Sequence, residues 1–416
     1  MHVHGAIADV YRAEWGRLLS MLVARTRRLD LAEDALGEAF ARASDRWPVV
    51  GVPANPAGWL YTTASRQMIA RLRSEAVAGR KAPLLAVRDD RPDSVEAAGW
   101  RASGEVDDLD DLRDERLAIV LLCSHPALRP EARSALALRL VIGTPTTEIA
   151  RLFLVSPTTM AARITRAKKK IVTAGIPLAH PVGDELAARL DDVCRTIYLA
   201  FTAGYTPGEG PDLLRADRAG DAVELAAVLR SLVPGAAQVQ ALAALLLLQH
   251  ARRDARVRAG RLITLADQDR SLWRHDEIRA GLGLIATLPA DVGYAEELRL
   301  QGLIAAEHSR ARVASDTDWR AISVIYAELE AVTRSPVVRL NRAVAVAESD
   351  GPVAGLALLA GLDGALPHNH RLPAVRADLA RRGGDIDLAR SSYRQALSLC
   401  ANDVERRFLA DRLASL

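Results

Sequence analysis

Five cationic side chains and no acid fall within residues 163–170: Arg163, Arg166, Lys168, Lys169 and Lys170. Small and hydroxylated residues come just before them. At the start of a short helix such residues suit base edges in a DNA major groove, and cations further along suit phosphates. The segment from Thr146 to Ile171 reads as two short helices broken by a tight turn. Ile149, Phe153, Val155, Met160 and Ile164 recur at spacings that put them on the inner faces of two crossing helices, with small Ala150 where these approach. Ser156 is a good N-cap, and Pro157 suits the first helical position, where a missing N–H costs nothing. Thr158, Thr159, Ala162, Arg163, Arg166 and Lys169 then point outward, and Ser156 joins them at the helix start as a candidate DNA contact. A helical hairpin with a merely solvated basic face is the alternative.

A second constellation lies nearer the N-terminus. Ala35, Leu36, Ala39, Phe40, Ala43 and Trp47 form an apolar stripe at helical spacing, with Asp34, Glu38, Arg42 and Asp45 on the other side. Such an acid-bearing amphipathic helix can dock against another protein's helices. Asp30 is its expected cap and Pro48 its expected end. The Pro-rich stretch from Trp47 to Pro56 reads as an ordered loop able to form a pocket. A second helix, from about Ala57 to Ala78, puts Arg66, Arg71 and Arg73 near Trp59 and Tyr61. Arginines interleaved with aromatics suit single-stranded DNA, where bases stack and phosphates pair with guanidinium groups. Taken alone, Trp47 and Trp59 as core residues beside solvated arginines explain this segment better.

The elements that must position these groups are helical. The 416 residues are 50% hydrophobic and only 4% aromatic, with Ala, Leu and Arg abundant, which favours an all-α chain of two or three domains. The formal charge of +3 hides local polarity, since residues 105–116 carry seven acids against two arginines. No run approaches 18 apolar residues; Ala241 to Leu248 is core, not membrane. Without a signal peptide at Met1–Gly5, and with Cys123, Cys194 and Cys400 isolated, the expectation is a cytoplasmic protein with reduced thiols and no zinc cluster. There is no phosphate-cradling loop and no glycine fingerprint, so neither a cofactor nor catalysis is expected. Asp267, Asp269 and His275, or Asp316 with Asp318, match no metal-ligand spacing and read as helix caps or partners of arginines such as Arg270. His2 with His4, and His368 with His370, read as solvated loop residues.

Boundaries follow from composition. Residues 1–81 read as one helical domain, 82–112 as an acidic linker, and 113–175 as a domain ending in the helix-turn-helix. Gly175, Pro177, Pro181 and Gly183 mark the next boundary, and 184–416 is helical throughout. Near its end a shift of 34 positions superposes Ala343 on Ala377, Val346 on Ala380, Gly355 on Ala389, Leu359 on Tyr393 and Leu362 on Ala396. That is the tetratricopeptide period, in which paired helices bury a face by stacking on neighbours.

Taken in order, these motifs resemble a known family. Asp30-Leu31-Ala32-Glu33-Asp34-Ala35-Leu36-Gly37-Glu38-Ala39-Phe40, Trp47-Pro48, Asn55-Pro56-Ala57-Gly58-Trp59-Leu60 and Arg71-Leu72-Arg73 resemble region 2 of the extracytoplasmic-function sigma factors of bacterial RNA polymerase. Cys123-Ser124-His125-Pro126-Ala127-Leu128 through Glu148-Ile149-Ala150 to Arg166-Ala167-Lys168 resembles their region 4. Tyr198-Leu199-Ala200-Phe201, Asp267 to Trp273, Thr317-Asp318-Trp319 and Leu340 to Glu348 are similar to a subgroup with a long C-terminal helical extension.

The resemblance implies core polymerase (the clamp helices of its largest subunit, and its flap) and promoter DNA as partners. Asp34, Glu38 and Arg42 would meet the clamp. The loop after Trp47, with Trp59, Thr62, Arg66, Gln67, Arg71 and Arg73, would hold the melted minus-ten element. Ser156, Thr158, Thr159, Ala162, Arg163 and Arg166 would read the minus-thirty-five element, with Lys169 on phosphate. The acidic linker would suit the positive RNA exit path, and the extension would contact region 2 or 4 and regulate them. Two departures stand out: Arg66-Gln67 and Ala70 replace an Asn-Arg pair and an aspartate, and Pro145 replaces the usual first residue of its helix, with Thr144 as the expected cap. The rival reading is a repeat scaffold with a DNA-binding repressor head that ignores polymerase.

Overall fold

A computed structural model of the protein describes residues 3–78, 116–153, 155–176, 178, 181–205, 216–258 and 261–416. The acidic linker, residues 82–112, lies outside them. The described chain is helical apart from one two-residue-per-strand hairpin, and contacts divide it into two units, Met1–Thr196 and Ile197–Leu416. No helix among the described residues is long and apolar enough to cross a membrane.

In the first unit α1 (Val3–Thr26), α2 (Leu29–Val50) and α3 (Pro56–Ala78) pack as a three-helix bundle. Its core takes Trp15, Leu18, Leu19 and Leu22 from α1, Leu36, Phe40 and Trp47 from α2, and Leu60 and Met68 from α3. α2 departs from expectation at both ends. Arg28 holds the N-cap position without a side-chain cap, and Asp30 lies inside the first turn, where it accepts two hydrogen bonds from the Arg28 guanidinium at 3.0 and 2.9 Å. Pro48 does not end the helix. Its ring still permits helical φ and it forfeits only one N–H; the turn runs on to Val50 and closes with Gly51 N donating to Trp47 O at 2.9 Å.

The chain resumes in α4 (residues 116–123), α5 (Pro130–Leu140), α6 (Thr146–Leu152), α7 (Pro157–Thr173) and α8 (Asp184–Ala187). Pro145, not Thr144, is the N-cap of α6. Thr144 is fully buried in the turn after α5, and its hydroxyl finds no partner at the helix start. The boundary between the units falls at Thr196, inside α9 (Leu190–Tyr205). Residues 184–196 belong with the first unit: the Arg189 guanidinium donates to Leu121 O at 3.3 Å, Arg133 pairs with Asp192, and Ser134 and Thr196 hydroxyls lie 3.1 Å apart.

The second unit continues through α10 (Ala216–Leu232), α11 (Ala237–His250), the antiparallel hairpin β1 (Val257–Arg258) and β2 (Arg261–Leu262), α12 (His275–Ala286), α13 (Gly293–Arg310) and α14 (Trp319–Thr333). α15 (Pro336–Asp350) and α16 (Pro352–Leu358) then correspond to α17 (Arg371–Arg382) and α18 (Ile386–Leu399), with α19 (Asp403–Ala414) closing the array. The 34-residue register is realised in packing: Ala343, Leu359 and Leu362, and their counterparts Ala377, Tyr393 and Ala396, are all buried. Gly355 stands where the second copy has Ala389. A Cβ there would lie 2.6 Å from Ala343 O and from Ala347 Cβ, so α15 and α16 approach closer than an alanine allows.

Candidate nucleic-acid interface

Met160, Ile164, Ala167 and Ile171 form the buried stripe of α7. Each residue turns a helix by about 100°, so Thr158, Thr159, Ala162, Arg166 and Lys169 fall on the opposite arc. All five are exposed. Arg163 falls at the edge of that arc, half-buried, and donates to Glu131 O at 3.3 Å. Ser156 caps the helix, accepting from Thr159 N at 3.1 Å. Its hydroxyl is engaged in shaping the helix start, where unpaired N–H groups and the helix dipole favour an anion. Lys168 falls on the far flank and pairs with Glu33 of α2 at 2.5 Å.

The residues expected to hold single-stranded DNA separate into groups. Trp59, Thr63, Arg66, Gln67 and Ala70 of α3 face Arg42, Asp45 and Arg46 of α2 across a groove of about 590 Å³. Trp59 is half-buried and sits edge-on to the buried Trp47, ring centroids 5.6 Å apart. The two tryptophans therefore differ: Trp47 is core, and Trp59 joins core to groove wall. Gln67 is 9% exposed, and neither atom of its amide has a hydrogen-bond partner in the protein. It belongs to the groove wall, beside Trp59 and Arg66.

Arg71 is turned away from that groove. It pairs with Glu38, and with Asp34 at 3.4 Å, so the two acids expected to meet polymerase already hold a cation expected to meet DNA. Arg42 from the same expected polymerase face lines the groove instead. Thr62 is exposed and its hydroxyl donates to Gly58 O at 2.8 Å; Arg73 is also exposed. The Pro-rich loop does edge a cavity, of about 270 Å³, with Arg17, Asn55, Gly58 and Tyr61 in its lining. Thr63 went unmarked in the sequence, although it shares the face of Trp59 and Arg66 at helical spacing.

Within this unit α1 packs directly on the segment that carries the helix-turn-helix. Trp15 is 2% exposed, with the Arg139 guanidinium 5.2 Å from its ring centroid, and Arg139 donates to the Tyr11 hydroxyl at 2.5 Å. Two glycines permit the approach. A Cβ on Gly16 would lie 1.8 Å from Val141 O, and one on Gly143, whose φ is +69°, would lie 2.9 Å from the Trp15 side chain. Burial pushes the neighbouring Cys123 thiol up, and the Glu33 carboxylate adds to this.

In the second unit the expected caps are in place. Asp269 accepts from Ser271 N at 2.9 Å and Asp318 from Ala321 N at 2.9 Å. Asp267 accepts from the Thr264 hydroxyl at 2.6 Å. Arg270 pairs with none of these acids. Its guanidinium donates to His308 O at 2.8 Å, Ala311 O at 2.5 Å and the Thr317 hydroxyl at 3.4 Å, and lies 4.6 Å from the Trp273 ring centroid. Trp319 stacks edge-on against His308 at 5.2 Å. Burial, with Arg252 and Arg270 nearby, pushes His308 down to about 3. Two sequence signatures of the extension, Asp267 to Trp273 and Thr317-Asp318-Trp319, thus meet in one interior knot. His370 is not a solvated loop residue: its Nε2 lies 3.0 Å from the Glu405 carboxylate. Cys400 is not isolated either, since its Sγ is 4.0 Å from the same group.

Comparison with known proteins agrees with this arrangement. Residues 10–77 match the family model for sigma-70 region 2, residues 119–171 that for sigma-70 region 4, and residues 189–288 a "Family of unknown function (DUF6596)". The chain belongs to the sigma-70 family, as an extracytoplasmic-function-like RNA polymerase sigma factor with a C-terminal helical extension. It is 38% identical over 397 residues to an uncharacterized protein of Rhizobium meliloti (strain 1021), covering 94% of this chain and 91% of that one. No solved structure matches. Sigma factor families are not enzymes, and their domains imply core polymerase and promoter DNA as partners.

Proposed function

We propose that α7 reads the minus-thirty-five duplex through Thr158, Thr159, Ala162 and Arg166, with Lys169 on phosphate and Arg163 braced at the edge. The α2–α3 groove then holds the melted minus-ten strand, Trp59 stacking a base while Arg66 and Arg42 meet phosphate. Asp34 and Glu38 are the clamp-facing acids, and Arg71 holds them in place. The observation that carries this reading is the exposed arc of α7 behind a capped helix N-terminus, in one unit with an arginine- and tryptophan-lined groove. Run-off transcription with core polymerase tests it. The full chain should confer promoter-specific initiation, and Arg163→Ala with Arg166→Ala should abolish it. Tight duplex binding by a chain that ignores polymerase would favour the repressor reading instead.

The close packing of α1 on the α5–α6 turn is a closed state in this proposal. The two promoter elements lie about 25 base pairs apart, ~85 Å of duplex at ~3.4 Å per base pair. A compact body the size of the first unit has a radius of gyration of about 15 Å, so it reaches only one element at a time. Breaking Lys168–Glu33 and the Arg139–Tyr11 contacts must accompany promoter binding.

The C-terminal unit regulates that step by docking on region 2 or region 4, helped by the high local concentration of a covalent tether. A chain ending at Tyr205 keeps α9 whole. Unchanged transcription and promoter choice by that chain would remove the regulatory role.

A further inference from the structure

We infer that the end of the C-terminal unit binds one divalent ion of the zinc class through His370, Cys400 and Glu405. The inference is independent of the promoter reading. Donor atoms of these three residues all lie within 4.8 Å of one another. They come from three different elements: His370 is the N-cap of α17, Cys400 the C-cap of α18, and Glu405 sits in the first turn of α19. Residues 30 and five positions apart therefore converge on one point.

The backbone that presents the donors is held in place. Cys400 N donates to Ala396 O at 3.0 Å. Asn402, 1% exposed, caps α19 by accepting from Val404 N at 3.0 Å and Glu405 N at 3.1 Å. The sulfur and the carboxylate are thus fixed on one short turn, and His370 meets them from the opposite side. Bonds of about 2.0–2.3 Å around a tetrahedral ion separate its ligands by roughly 3.3–3.6 Å. The donors stand 3.0 Å apart for His370 Nε2 and Glu405 Oε2, 4.0 Å apart for Cys400 Sγ and the same oxygen, and within 4.8 Å overall, so an ion must draw them inward by about 1 Å.

The donor set selects the metal. A thiolate with an imidazole and one carboxylate suits zinc and its neighbours, whereas magnesium and calcium call for oxygen alone. His370 and Glu405 line a cavity of about 310 Å³ floored by Leu340, Val344, Leu379 and Phe408, and Cys400 is not part of its lining. Three protein ligands therefore leave a fourth position open toward the cavity, where water completes the shell. Binding displaces the Cys400 thiol proton to solvent, takes the neutral imidazole through Nε2, and changes no oxidation state.

The competing account is a plain His370–Glu405 ion pair beside a packed thiol. Cobalt titration of the chelator-treated full-length chain separates the two, because only a sulfur ligand gives a thiolate-to-cobalt charge-transfer band. The expected result is one equivalent of cobalt bound with that band, displaced by zinc. The band should disappear in Cys400→Ser, and affinity should fall roughly tenfold or more in His370→Gln. Zinc should also raise the thermal midpoint of the wild type and leave that of Cys400→Ser unmoved, provided circular dichroism shows that variant folded. No band in the wild type, or a band that survives Cys400→Ser, overturns the inference. So does a stoichiometry lost in His2→Ala with His4→Ala but kept in Cys400→Ser, which assigns the ion to the N-terminal histidines.

Discussion

Gly16→Ala is the sharpest probe of the closed packing between α1 and the helix-turn-helix segment. The added methyl would lie 1.8 Å from Val141 O, a backbone atom that no rotamer change can move. Ordinary contact is nearer 3.4 Å, so α1 must retreat by about 1.5 Å, dragging Trp15 away from Arg139 and loosening Lys168–Glu33. Overpacking of this kind costs about 1–3 kcal/mol. Where that cost falls on the closed state alone, it shifts the balance toward the open state about 5–150-fold. Apparent affinity for promoter-bound polymerase is scaled by the open fraction, so half-saturating sigma concentration in a run-off assay should fall by up to the same factor. Circular dichroism must show helix content retained, because the three-helix core of α1–α3 is otherwise untouched. A folded variant whose half-saturation is unchanged or raised would refute the reasoning: the packing would then be no obstacle to promoter binding.

Other outcomes can be stated in turn. Replacing Arg166 and Lys169 by Ala should lower the salt slope of promoter binding by about 0.9 for each phosphate no longer neutralised, measured by binding titrations at several salt concentrations. Gln67→Leu removes a buried amide without protein partners, so urea unfolding should show stability held or raised by about 1 kcal/mol, while minus-ten selectivity in run-off assays drops. His308 is held well below its ordinary 6.5, near 3, so the unfolded chain binds the extra proton between those values. Stability should therefore be full above about pH 6.5 and be lost as pH falls toward 3, at up to about 1.4 kcal/mol per unit. His308→Phe should flatten that slope in denaturant titrations at pH 7 and 5.

What could be read from the sequence was whatever repeats at a helical period. Of the expected inner-face residues, Ile149, Met160 and Ile164 are buried while Phe153 and Val155 are half-buried, and the Ser156 cap and the 34-residue register from Ala343 to Ala396 also follow from spacing. Thr62 and Arg73 also keep exposed positions on α3. What stayed hidden depends on neighbours distant in sequence. Arg71 looks like a free cation until α2 brings Glu38 beside it, 33 positions away. The burial of the Gln67 amide is equally unmarked by its neighbours in sequence. Lys168 belongs by composition to the basic face, but one step of helical phase carries it to Glu33. Pro48 misleads because a proline's cost inside a final turn is one N–H, less than the packing gained by extending the helix past Trp47. His370, Cys400 and Glu405 are ordinary one by one, and only the placing of the start of α17 beside the turn between α18 and α19 joins them.

The interior knot around Arg270 has a consequence for how the extension comes apart. Helical arrays whose members touch only their neighbours fray from an end, one pair at a time. Here Arg270 ties the carbonyls of residues 308 and 311 and the Thr317 hydroxyl to Trp273, joining the segment before α12 to the end of α13 and the turn that follows it. The middle of the array should melt all-or-none, leaving α15–α19 to unravel as a separate, lower-temperature step.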